Sequence, residues 1–152
     1  MDIFSVIILC YRNFEYLHEA IDSVLSQTYP AVELIVSDDC SPDFPRQELE
    51  DYIAAHRKAG LCRFMVRREE QNCGTVKHVN HAIRASSGRY VILMAADDAF
   101  YSPRAIEQYA QGFRKAPPDC CLLVAQTAMC DQSLQGFEEY YLNPTVQKIL
   151  EE

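Results

Sequence analysis

A run without charge, Tyr90 to Ala96, stops at two adjacent carboxylates, Asp97 and Asp98, and Ser102-Pro103 follows as a helix-start signal. The pattern predicts a buried strand that delivers two acids to the edge of a sheet. In a parallel sheet, ligands sit outside the carboxyl ends of the strands, and hard divalent cations take carboxylate oxygens. The pair is therefore a candidate metal and phosphate station. The other reading is a polar strand-to-helix turn in which Asp98 satisfies backbone donors.

The remaining chain alternates between the periods of strand and helix. Ile3 to Leu9 is an apolar run rich in β-branched residues, as a central parallel strand requires. Asn13 is positioned to cap a helix whose apolar face is Phe14, Leu17, Ala20, Ile21, Val24 and Leu25, and Gln27 to Pro30 closes it. Val32 to Ser37 reads as the second strand, running into Asp38-Asp39-Cys40-Ser41-Pro42-Asp43. A helix over Pro45 to Ala59 stops at Gly60, and Arg63 to Arg68 is a weaker strand with charged ends. After the loop Glu69 to Gly74, Thr75 starts a helix with Val76, Val79, Ala82 and Ile83 on its inward face. Beyond the acid-tipped strand come a helix over Pro103 to Lys115, a break at Pro117-Pro118 and an apolar strand over Cys120 to Ala128. The tail holds an aromatic and acidic stretch, Gly136 to Leu142, and a short amphipathic segment, Thr145 to Glu152. Strands alternating with helices predict an α/β layered fold with a mostly parallel central sheet.

A chain of 152 residues buries a sizeable core, and one domain over 1–152 is expected. Its formal charge of −8, from 14 basic and 22 acidic side chains, argues against a nucleic-acid partner held by phosphate contacts. The 7 cysteines form no C-x-x-C pair, so neither a disulfide framework nor a zinc site is read from their spacing. They are expected to be reduced and mostly buried thiols of a cytoplasmic protein. No apolar run approaches the length of a membrane span, although the parent protein could be attached to a membrane elsewhere.

Parallel strands share direction, so Tyr11-Arg12 and Asp38-Asp39 emerge on one edge with Asp97-Asp98. A nucleoside diphosphate suits such a set: a ring to stack on, carboxylates for donors on base and ribose, and a diphosphate. A carboxylate cannot hold a phosphate directly, so acids at that position imply a bridging divalent ion. With 5 glycines in all, the chain has neither a G-x-G-x-x-G nor a G-x-x-x-x-G-K-[ST] motif.

Three blocks carry a resemblance: VIILCYRNFEYLHEAIDSVLSQTYPAVELIVSDDCSPD, then EEQNCGTVKHVNHAIRASSGRY, then VILMAADDAF. Over Ser5 to about Pro103 the chain resembles the amino-terminal, nucleotide-binding half of an inverting family-two glycosyltransferase with the GT-A fold. The resemblance implies nucleoside contacts from Cys10, Tyr11 and Asp39, with Asp38 shaping the turn. It implies a reach of Lys77 toward base or diphosphate, ribose binding by Asp97, and coordination of Mn2+ or Mg2+ by Asp98. Family members often carry a further aspartate two residues before the acid pair, where this chain has Ala95.

The implied activity is metal-dependent transfer of a sugar, with inversion, from a nucleotide sugar, expected to be UDP-linked, to a saccharide or lipid-linked acceptor. The general base of the family lies in its carboxyl-terminal half, so it is expected beyond Glu152; Glu138 and Glu139 read as a solvated face. The chain is thus expected to be truncated at its carboxyl end, inactive alone and prone to self-association through the uncovered surface. The alternative is a nucleotide-sugar binding or interaction module without turnover. A sugar-nucleotide pyrophosphorylase type would want a glycine-rich, basic loop after the first strand. A receiver domain would want a lone aspartate ending the third strand and a lysine ending the fifth, near which Arg68 and Ala128 stand instead.

Overall fold

The computed structural model describes residues 1–125 and 127–130 and the backbone of 137–141. Contacts divide the chain into two units, Met1–Gln108 and Tyr109–Glu152. In the first, four strands form a parallel sheet: β1 (Phe4–Cys10), β2 (Val32–Asp38), β3 (Leu61–Arg68) and β4 (Tyr90–Ala95). Their order is β3-β2-β1-β4, so the two most buried strands, β1 and β2, lie in the middle, where both faces are covered. The connections are α1 (Leu17–Leu25), α2 (Arg46–His56) and α3 (Thr75–Ala85), and α4 (Ala105–Lys115) follows β4. No helix among the described residues is long and apolar enough to cross a membrane.

Ile7, Ile35 and Ala82 form a core cluster between the sheet and α3, with Leu9 and Met65 packed against it. The buried face of α3 differs from the expected one. His78 and Ala82 are buried, whereas Val76 is 75% exposed and Ile83 is 37% exposed. The reason is polar: His78 Nε2 lies 2.8 Å from the buried Ser37 hydroxyl of β2, and that hydrogen bond turns the histidine side of the helix inward. An apolar-periodicity count cannot see such a contact.

The start of α1 also differs. Asn13 is not its cap and Phe14 is not in it; the helix begins at Leu17 with Tyr16 in the cap position. Arg12 takes a left-handed conformation (φ 56°), and its N–H donates to the Ser41 hydroxyl at 2.8 Å, so the residues after β1 turn toward the loop after β2 before the helix starts. Cys120 to Ala125 is not a strand, and Leu122 and Val124 are 72% and 70% exposed. In the second unit, β5 (Thr127–Cys130) instead pairs antiparallel with β6 (Phe137–Tyr141) and does not extend the parallel sheet. The segment Thr145 to Glu152 lies outside the described residues. Among the cysteines only Cys10 is buried; Cys62 and Cys121 are exposed and the others half-buried, and all seven are unpaired.

One buried carboxylate joins all four strands at the amino-terminal edge. Glu33 of β2 accepts hydrogen bonds from the Ser5 hydroxyl of β1 and from the N–H (2.8 Å) and hydroxyl (2.9 Å) of Ser87 just before β4. Arg63 of β3 lies 3.1 Å away. Gly88 completes the contact, since a Cβ there would stand 2.4 Å from Ser5 Oγ. Burial works to raise the Glu33 pKa, but the serine donors and Arg63 outweigh it and hold the carboxyl below its usual range.

A carboxyl depressed on folding stabilises the fold above its unfolded pKa of about 4.3 and ceases to do so as pH falls through the lower, folded value. Urea unfolding of the wild type should therefore weaken from pH 5 downward more steeply than that of Glu33→Gln. Equal slopes would deny the clamp its role. Ile35→Ala should cost about 2–5 kcal/mol in the same assay, whereas Val76→Ser should stay within about 0.5 kcal/mol; the reverse order would contradict the observed rotation of α3.

Candidate functional site

At the carboxyl edge the strand ends are level: Cys10 pairs with Asp38, Asp38 with Arg68 and Leu9 with Ala95. Beyond them lies an open cleft of about 550 Å³, lined by residues from β1, β4, the loop after β2 and the first turn of α3. Cys10, Tyr11 and Asp39 line it together, joined by Asn72, Gly74, Thr75 and His78.

The two aspartates after β2 have different work. Asp38 is fully buried and accepts the Ser41 N–H at 2.6 Å and the Ser41 hydroxyl. It shapes the turn in which Cys40 sits at φ 67°. Asp39 faces the start of α3: Oδ1 accepts the Cys73 N–H at 2.9 Å and its thiol at 3.2 Å, and Oδ2 accepts the Gly74 N–H at 2.9 Å. A carboxylate at a helix amino terminus satisfies donors that the helix itself leaves free. Burial pushes the Asp39 pKa up, but the bonds from Cys73 and Gly74 and the nearby His78 more than offset this, leaving it below the usual carboxylate range. Each carboxylate oxygen has two acceptor positions, so Oδ2 retains capacity for one further donor from the cleft. Gly74, at φ 78°, supplies the left-handed turn that aims its N–H at Asp39, and a Cβ there would meet nothing within 4 Å.

Cys10 contributes a wall rather than a reactive group. Its thiol donates to the Ser37 carbonyl at 3.3 Å, and burial followed by the Asp38 charge pushes its pKa far up. Tyr11 is 44% exposed, with the Arg12 guanidinium 5.2 Å from its ring centroid. Burial pushes the His78 pKa down, against the pull of the Asp39 and Glu69 carboxylates.

The structure leaves three expected site residues outside the cleft lining. Lys77 is on the exposed side of the first turn of α3, and Asp97 and Asp98 are exposed just past Ala95, the last lining residue of β4. Asp98 Oδ2 accepts the Ala95 N–H at 3.1 Å, while the Asp98 N–H donates to the Ala95 carbonyl. The backbone role and the metal role are therefore compatible, because one oxygen fixes the turn and the other stays free. Mg2+ and Mn2+ sites commonly use one or two carboxylates completed by phosphate and water, and exposed oxygens of Asp97 and Asp98 fit that donor set. Sequence reasoning missed Asp39 as the acceptor for α3; Gly74 directly before Thr75 is the one signal that marked a special turn there.

The family model described as Glycosyl transferase family 2 matches residues 5–142. The chain belongs to that family. It is 32% identical over 104 residues to the putative teichuronic acid biosynthesis glycosyltransferase TuaG of Bacillus subtilis, covering 68% of this chain and 39% of that protein. Among solved structures, S. aureus TarS in complex with UDP-GlcNAc superposes with a TM-score of 0.63 at 28% identity, over 74% of this chain and 31% of TarS. The mannosyltransferase PcManGT from Pyrobaculum calidifontis, in complex with GDP-Man and Mn2+, shares the fold with a TM-score of 0.65 at 21% identity, over 72% and 32%. The fold of this family-two chain is thus that of GT-A glycosyltransferases, and the chain spans well under half the length of these relatives.

Removing the Asp39 carboxylate should expose its role at α3. Asp39→Ala leaves the N–H groups of half-buried Cys73 and exposed Gly74 without their protein acceptor, so the start of α3 loses its anchor to the loop after β2. Faster hydrogen exchange at these two amides, with β1 still protected, is the expected result. Unchanged exchange would contradict the arrangement.

Proposed function

We propose that the cleft formed by Cys10, Tyr11 and Asp39 binds the nucleoside of a nucleotide sugar, UDP-linked, for glycosyl transfer with inversion to a saccharide or lipid-linked acceptor. The observation that carries the reading is the Asp39 carboxylate, fixed by α3 on one side with acceptor capacity remaining on Oδ2. A uracil N–H is a donor of the kind it suits, with the Tyr11 ring beside it for stacking. The binding of UDP and UDP-GlcNAc by TarS supports the choice of base.

In this reading Asp97 takes the ribose and Asp98 holds Mn2+ or Mg2+ together with the diphosphate. The cation, when bound, neutralises the charge that develops on the departing diphosphate. In the same reading Lys77, exposed in the first turn of α3 and outside the cleft lining, reaches toward the base or diphosphate. Self-association is part of the same reading: Val91 (38%) and Leu93 (46%) of β4 are exposed, Leu93 also lining the cleft, and sedimentation at rising concentration, with and without UDP, is the check.

Calorimetry with UDP, GDP and dTDP, with and without Mn2+, tests the site. UDP should bind preferentially and in a metal-dependent way, and Asp98→Ala should weaken it at least about tenfold, the scale of a lost charge-assisted contact. A folded chain that binds no nucleotide, or binds UDP equally well after Asp98→Ala, would overturn the assignment. Binding without transfer to any acceptor would favour the binding-module alternative.

A further inference from the structure

Behind the start of α3 and the loop that precedes it, three side chains of different ligand classes converge. Glu69 follows the end of β3, Cys73 is anchored by its N–H on Asp39, and His81 lies on α3. One ligand atom from each lies within 4.8 Å of the others, and Glu69 Oε1 stands 3.2 Å from His81 Nδ1. Two zinc ligands with arms of 2.0–2.1 Å at the tetrahedral angle stand about 3.3 Å apart. The carboxylate and imidazole are therefore already at the spacing of one coordination edge, and the Cys73 sulfur lies within 4.8 Å of both.

The carboxylate is oriented from outside the set. Arg67 donates to Glu69 Oε1 at 2.7 Å and to the Ser37 hydroxyl at 3.1 Å, and Ser37 in turn meets His78. Such outer contacts are what fix metal ligands in place. The His81 side chain is 42% exposed, which leaves a path for entry. Thiolate, imidazole and carboxylate together select a borderline cation such as Zn2+ rather than Mg2+ or Mn2+.

We propose that Glu69, Cys73 and His81 form a binding site for Zn2+, separate from the acid pair after β4, with a fourth position left to water. On binding, the Cys73 thiol releases its proton to solvent as the sulfur–zinc bond forms. Asp39 Oδ1 then loses the thiol donor and keeps the Cys73 N–H. The site so touches the carboxylate that walls the cleft, although its existence does not depend on what the cleft binds.

Co2+ added to the whole chain, without nucleotide, is the direct probe. One equivalent should produce a sulfur-to-cobalt charge-transfer band that Zn2+ abolishes. Cys73→Ser should remove the band, His81→Gln should weaken binding at least about tenfold, and Cys62→Ser should leave both unchanged. Absence of the band, its survival in Cys73→Ser, or wild-type affinity in His81→Gln would each overturn the proposal. Because the spectrum is read without nucleotide, failure of UDP binding leaves this result standing.

Discussion

The Glu33 carboxylate is the interaction on which the sheet's geometry rests. It is buried in the centre of the amino-terminal edge and holds donors from β1, β3 and the approach to β4 at once. Leaving a buried acid without such partners would be strongly unfavourable, so the four strands are locked to one another at that end. β1 and β2 then rise in step from Phe4↔Val32 to Cys10↔Asp38, and β3, after an irregularity between Val32 and Glu33, follows from Glu33↔Arg63 to Asp38↔Arg68. The level carboxyl edge, and with it the cleft, follows from a contact at the opposite end of the strands.

At that edge a second carboxylate does complementary work. Asp39 ties the loop after β2 to the start of α3 through Cys73 and Gly74, while Asp38 closes the turn beneath it. One residue thereby holds the fold and, in the proposed reading, receives the ligand. The bonds that hold it ionised also fix its direction, so a ligand donor meets a preorganised acceptor rather than a mobile side chain. Glu69, Cys73 and His81 lie behind the same loop, which gives the cleft a neighbour of different metal chemistry.

Much of this was legible in the residues. β1 and β2 are buried on both faces and read as unbroken apolar runs, found with ends shifted by a residue or two; β4 read the same way, but as the edge strand it leaves Val91 and Leu93 exposed instead of being buried throughout. The acid pair and the motif order carried the family. What escaped was decided by polar contacts between distant positions. His78 points inward because Ser37 waits for it, Asn13 fails to cap because Arg12 is turned and pinned by Ser41, and Glu33 is a core acid because three strands supply its donors. Cys120 to Ala125 shows the converse error, an apolar stretch that looked like a strand but stays largely exposed.

In the proposed reading, the pinned Asp39 carboxylate is where a uridine nucleotide meets the chain. The most direct measurement is a titration of the isotope-labelled chain with UDP and Mn2+, followed at each backbone amide by NMR. Shifts should concentrate at Tyr11, Asp39, Cys73 and Gly74 and around Asp97 and Asp98, with the amides near Glu33 unmoved. Saturable shifts centred elsewhere on a folded chain, with Cys73 and Gly74 silent, would contradict it.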